Sequence, residues 1–250
     1  MIYTGLTSAA HHPAAQDLGA EPDFLALLKS RPPTCDYLTP LGIPMIVPPP
    51  ALGNDTAPDC VEAGYLWAAA ARERTAMGST WLPSASEALG LLPKWGNINT
   101  GTDLAAAQRA AAVSGVPIGD MDLDVVLPAR VPTDWHAMRT ALWVYGAVGV
   151  CWNLPAFIGD MPDAELWDVR SGPGTEPGGL GLHYTSGLAY DAGTIQVVSW
   201  GFTPRVTPAF AAMYLVGVAA QLSRRWFDTM GRSPPGFDWV QAEAMRARMG

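Results

Sequence analysis

The sequence predicts an α+β fold in which helices and strands occupy separate stretches of the chain. Three observations carry that prediction. Between about residues 60 and 145 there are three segments with apolar residues at helical spacing, each with a capping residue before it and a glycine after it. From Ala147 the period changes to two, with Val148, Val150 and Trp152 alternating against smaller residues. Helical pattern then returns towards the end of the chain.

Taken in order, residues 1–50 read as a proline-rich N-terminal extension. One short amphipathic helix is expected at Pro22 to Lys29, where Phe24, Leu25, Leu27 and Leu28 cluster. Pro32, Pro33, Pro40, Pro44 and Pro48-Pro49-Pro50 then forbid helix or central strand, so this run should lie extended, as a belt on the domain or across its cleft. Asp59 is the expected N-cap of a helix from Cys60 to about Ala76, with Ala63, Leu66, Trp67 and Ala70 on one face and Gly78 after it. Thr102 or Asp103 caps Leu104 to Ser114, stopped by Gly115. Thr133 or Asp134 caps a third helix to about Tyr145, with Gly146 beyond.

Ala147 to Leu154 should be a strand, and Phe157 to Leu180 a long loop. His183 to Tyr190 and Thr194 to Trp200 form a hairpin turned at Asp191-Ala192-Gly193. Thr207-Pro208 opens a helix, and Val216 to Leu222 is either a last strand or its continuation. Asp238 to about Arg248 is helical again. The implied organisation is the extension, then one domain over 51–250: a helical lobe to about 130, a sheet lobe to about 223 and a helical tail.

Composition bounds the function. The net charge is −8 and no run of Lys or Arg could track a phosphate backbone, which argues against nucleic acid. The most apolar run, Ala141 to Trp152, is too short to span a bilayer, and no basic stretch precedes an apolar one at the N-terminus. A cytoplasmic or virion-associated protein without membrane insertion is the default expectation. Cys35, Cys60 and Cys151 are too few and scattered for a disulfide framework. His11-His12 has no partners at metal spacing, and the loop acids Asp160, Asp163, Glu165 and Asp168 lack calcium spacing, so no metal or cofactor is expected. No Gly-x-Ser-x-Gly elbow is present, and the glycines of 172–181 lack the strand and helix a phosphate loop needs.

Chemistry concentrates on Cys60. A thiolate is the reactive form of cysteine, and a helix N-terminus favours it through unpaired N–H groups. Cys60 follows the loop-forming stretch Gly53-Asn54-Asp55-Thr56-Ala57-Pro58-Asp59, whereas Cys151 sits in an apolar strand and Cys35 in the extension. His183 stands alone among histidines in the strand-rich half and could supply a base from across a cleft. A packed cysteine and a buried histidine with a satisfied ring are the structural alternatives.

Four segments in order resemble papain-like cysteine peptidases, in the divergent form found in bacteria and phages. Leu52-Gly53-Asn54-Asp55 through Asp59-Cys60-Val61-Glu62-Ala63-Gly64 resembles the nucleophile loop and first helix. Tyr145-Gly146-Ala147-Val148-Gly149-Val150 is similar to the strand before the histidine loop, and Gly181-Leu182-His183 with Gly187-Leu188-Ala189-Tyr190 to the histidine strand. Val197-Val198-Ser199-Trp200-Gly201 resembles the segment carrying that family's Asn-Ser-Trp-Gly. The resemblance implies a helical lobe and an antiparallel sheet lobe with a cleft between them. It implies Cys60 as nucleophile, His183 as base, Asn54 as a donor to the oxyanion and Trp200 as a shield, with a peptide or protein as substrate.

One position departs from the pattern. Val198 stands where the family has the Asn that orients the histidine, and on a regular strand Ser199 faces the other way unless a bulge re-aims it. Two other readings follow. One is an inactive papain-like module that binds or assembles with other proteins, in a phage particle or its host. The other is a cell-wall amidase of the NlpC/P60 or CHAP type, although Val61-Glu62 replaces the Ser-Gly usual there.

Overall fold

The computed structural model describes residues 4–11, 16–20, 22–42, 49–119, 126–241 and 244. Its helices are α1 (Pro22–Ser30), α2 (Cys60–Met77), α3 (Ala85–Trp95), α4 (Leu104–Ser114), α5 (Trp135–Tyr145) and α6 (Pro208–Tyr214). The strands of the first half are β1 (Leu6–Ser8), β2 (Gln16–Asp17), β3 (Cys35–Asp36), β4 (Thr102–Asp103) and β5 (Val126–Val131). Those of the second half are β6 (Val148–Leu154), β7 (Leu166–Trp167), β8 (Gly181–Tyr190), β9 (Ile195–Val198), β10 (Arg205–Val206) and β11 (Leu215–Ser223).

Local chemistry fixes the helix ends. Asp103 and Asp134 are the caps of α4 and α5, each accepting from an N–H in the first turn, and Gly115 and Gly146 close them. Asp59 does not cap α2: no first-turn N–H donates to its carboxylate. Ser84 and Glu87 form a reciprocal capping box for α3, which apolar spacing alone did not indicate. The segment after α6 is strand β11 rather than continued helix.

Among the described residues nine strands form one sheet, in the order β2-β5-β11-β6-β8-β9-β10-β7, with β3 on the far end of β8. The centre, β5-β11-β6-β8-β9, is antiparallel, and its register sets Trp152 opposite His183 and Cys151 opposite Tyr184. Part of the first 50 residues is built into this scaffold: β2 and β3 pair with β5 and β8, and β1 pairs with β4. The Tyr190 hydroxyl donates to the Pro32 carbonyl and Arg139 to that of Pro33, so the chain there lies along the sheet. Pro44 and Pro48, and most of the helix expected from Asp238, fall outside the described residues. The long loop after β6 holds a 3-10 turn at Ala156–Asp160 and strand β7, whose Trp167 is buried.

Helix α2 joins the halves. Every residue from Cys60 to Glu73 is buried, so the single apolar face expected from its sequence is a helix enclosed on all sides. Its small residues let β8 approach. The Tyr184 ring wedges between α2 and β6 at two glycines: a Cβ on Gly64 would stand 2.5 Å from that ring, and one on Gly149 only 1.8 Å from its hydroxyl. Towards the far end of α2, Arg225 grips Glu73 through two donors and Arg72 donates to Gln221 at 3.0 Å. The Tyr184 contact at Gly64 holds the start of α2 against the histidine strand.

Candidate active site

Cys60 is the first residue of α2 and is 1% exposed. Its sulfur accepts the backbone N–H of Gly5 at 3.2 Å. The helix N-terminus argues for a low thiol pKa, yet burial outweighs it and pushes the thiol up to about 12. The backbone N–H groups of Tyr184 and Gly5 offset only part of that rise.

The surroundings of the thiol are acidic and sparsely paired. Burial, helped by the nearby Glu62 charge, raises Asp59 to about 7, and burial raises Glu62 to about 7. Thr102 donates its hydroxyl to Glu62, but the second Glu62 oxygen and both Asp59 oxygens have no hydrogen-bond partner. Asn54 is buried beside Asp59, and its proximity offsets part of the rise in that carboxyl's pKa, although its amide nitrogen makes no hydrogen bond of good geometry. A tight turn sets Asn54 there, with Leu52 at φ 60° and Gly53 at φ 100°. A left-handed leucine costs roughly 1 kcal/mol, and such strain is retained where the surrounding structure holds it.

His183 projects from β8 and is fully buried. Its Nε2 lies 2.7 Å from the Ser199 hydroxyl, and its ring stacks on Trp200 with centroids 4.0 Å apart and planes 17° from parallel. Nδ1 has no hydrogen-bond partner among the described residues, and burial lowers the ring's pKa to about 3. Ser199 reaches the ring because β9 ends at Val198. A two-way hydrogen-bonded turn, Ser199 with Phe202 at 3.0 and 2.7 Å, follows at once, with Trp200 at φ 49° and Gly201 at φ 81°. Strand alternation therefore stops before Ser199, and the expectation that it faces away is corrected.

No protein-family model matches the chain, and no curated sequence matches it. Solved structures do. Xylellain, a cysteine protease from Xylella fastidiosa, aligns at TM-score 0.64 and 11% identity over 88% of this chain and 95% of its own. ProCathepsin B S9 from Trypanosoma congolense aligns at 0.60 and 13% over 88% and 86%. The recombinant stem bromelain precursor aligns at 0.54 and 11% over 86% and 77%. The fold is papain-like.

Of the residues singled out in the sequence, five border one small void and His183 does not line it. Cys60, Asn54, Val198, Ser199 and Trp200 line a residual void of about 10 Å³, room for no more than one water. His183 joins it through Ser199 and Trp200 rather than by a hydrogen bond to Cys60. Val198 faces the void and does not orient the ring; Ser199 does. Cys151 is packed in β6 and Cys35 is half-buried in β3. His11 meets the Gln108 amide at 3.0 Å, while His12 lies outside the described residues. Gly5, Thr102 and Tyr184 touch or brace the thiol side and had no signal in the sequence, since each contact joins distant segments. None of the neighbours named is described as a phage protein.

Proposed function

We propose that the chain is a papain-like cysteine peptidase or related thiol-dependent amide hydrolase, seen with its cleft closed. The observation that carries this reading is the histidine: Nε2 is bound to Ser199, the ring is stacked on Trp200, which with Cys60 lines one void, and Nδ1 is left without a partner among the described residues. Once the cleft opens, Nδ1 takes the Cys60 proton and the thiolate attacks the carbonyl carbon of a peptide substrate. The oxyanion then accepts from the unpaired Asn54 amide and from the Cys60 N–H, which has no intrahelical partner. His183 returns the proton to the leaving amine, and water hydrolyses the thioester with His183 as base.

A second reading is a binding module without activity. It is favoured by the buried thiol, raised to about 12, and by the missing Cys60–His183 hydrogen bond. A thiol-reactive peptide-like probe separates the two. For an enzyme, the wild type is labelled at Cys60 while Cys60→Ala and His183→Ala are not. Equal labelling of all three proteins rules out the enzyme.

A further inference from the structure

The first described residues reach the Cys60 thiol. The Gly5 N–H points at the Cys60 sulfur at 3.2 Å, and the Gly5 carbonyl accepts the Thr102 N–H at 2.6 Å. Beyond it β1 pairs with β4, Leu6 opposite Thr102, and Leu6 is buried. Thr4 packs against Gly181, two residues before His183. This strap therefore touches the α2 start, β4 and β8, the elements that wall the thiol.

The fit at Gly5 is backbone against backbone. A Cβ on Gly5 would stand 2.0 Å from the Pro58 carbonyl oxygen and 2.3 Å from its carbon. On the other wall, a Cβ on Gly101 would stand 1.9 Å from the Gly5 oxygen. Neither wall can yield by turning a side chain, so the slot admits a main chain and no substituent on it.

We propose that this slot is a glycine-selective peptide site. Its ligand is an extended segment with glycine where Gly5 sits and an aliphatic residue where Leu6 sits, and the strap is a tethered occupant that keeps it filled. The proposal rests on the reading above only in taking the cleft at Cys60 as the place where a peptide lies. The strap is not consumed, because it aims a donor N–H at the sulfur rather than an electrophilic carbonyl carbon; the thiol keeps its proton and no bond forms.

The test uses the full chain. In Gly5→Ala the new methyl must expel the strap, and alkylation of Cys60 by iodoacetamide, followed by mass spectrometry, should quicken about tenfold or more, a shift of one or more decades in the open population. Cys151, buried in β6, should stay unlabelled and so reports that the fold persists. In that variant acetyl-Thr-Gly-Leu-Thr-amide should slow Cys60 labelling, and acetyl-Thr-Ala-Leu-Thr-amide at equal concentration should not. Unchanged Cys60 labelling with Cys151 protected, or equal protection by both peptides, overturns the proposal. If Gly5→Ala exposes Cys151, Leu6→Ser releases the strap by its anchor and the same pair of peptides decides. Labelling reads binding, not hydrolysis, so a chain that selects the glycine peptide and never cleaves one keeps this proposal while losing the peptidase.

Discussion

The two sides of the site are built to different degrees of completion. On the histidine side a tight turn delivers a hydroxyl to Nε2 and an indole to the ring face, leaving one ring nitrogen open. On the thiol side Asp59, Glu62 and Asn54 together leave four buried polar atoms unpaired around a thiol capped by a distant glycine. Burial acts on both, lowering the imidazole to about 3 and raising the thiol to about 12. Burial thus favours the neutral form of both groups. The histidine side has its ring contacts in place, whereas on the thiol side a thiolate would need water or a ligand to form.

The largest way to break this contrast is to relieve the acidic side. The folded chain holds Glu62 protonated up to about pH 7, while the unfolded chain releases that proton near 4.5. The folded state therefore binds the extra proton, and stability falls as pH rises through that window and stays lowered above it. Glu62→Gln keeps an acceptor for Thr102 and removes the titration. It should match wild type near pH 4.5 and be more stable by up to about 3 kcal/mol at pH 8, read by urea denaturation at both values. His183 is shifted the opposite way and contributes the opposite slope below pH 6.5, which cancels between the two proteins. An equal difference at both pH values would show that Glu62 titrates normally.

A smaller effect is expected on the finished side. Ser199→Ala leaves a fully buried imidazole with neither nitrogen paired, a loss of about 2 kcal/mol. Ser199→Thr, which keeps the hydroxyl, should restore most of it. Thermal denaturation at pH 7.5 measures both, and a silent Ser199→Ala would mean that the ring is held by packing alone.

Sequence made some of this legible and hid the rest for physical reasons. The ends of α4 and α5 could be placed because caps act within one turn, as Asp134 and Gly146 do. The order of Cys60, His183 and Trp200 along the chain pointed to the papain-like fold that the structural neighbours share. The environment of α2 could not be read, because a helix buried all round has no apolar stripe to reveal its neighbours. Ser199 misled because alternation holds only inside a strand, and β9 stops one residue earlier. The Gly5 cap joins residues 55 apart and depends on an absent side chain, which leaves no periodic trace.

The smallest change tests what fixes the ring's face. Trp200 sits at φ 49°, a conformation that a bulky residue adopts at a cost of roughly 1 kcal/mol, and its indole stacks on His183. Phenylalanine would bear the same backbone strain, so Trp200→Phe isolates the ring. It should lower stability by about 1 kcal/mol, or about 2–4 °C in Tm for a chain of this size. Trp200→Gly relieves the backbone and removes the stack altogether. If stacking is why the strain is kept, the glycine variant must be the less stable of the two and must label faster at Cys60, since the indole also lines the void beside the thiol. A glycine variant more stable than the phenylalanine one would assign the turn, not the ring contact, as the element that positions His183.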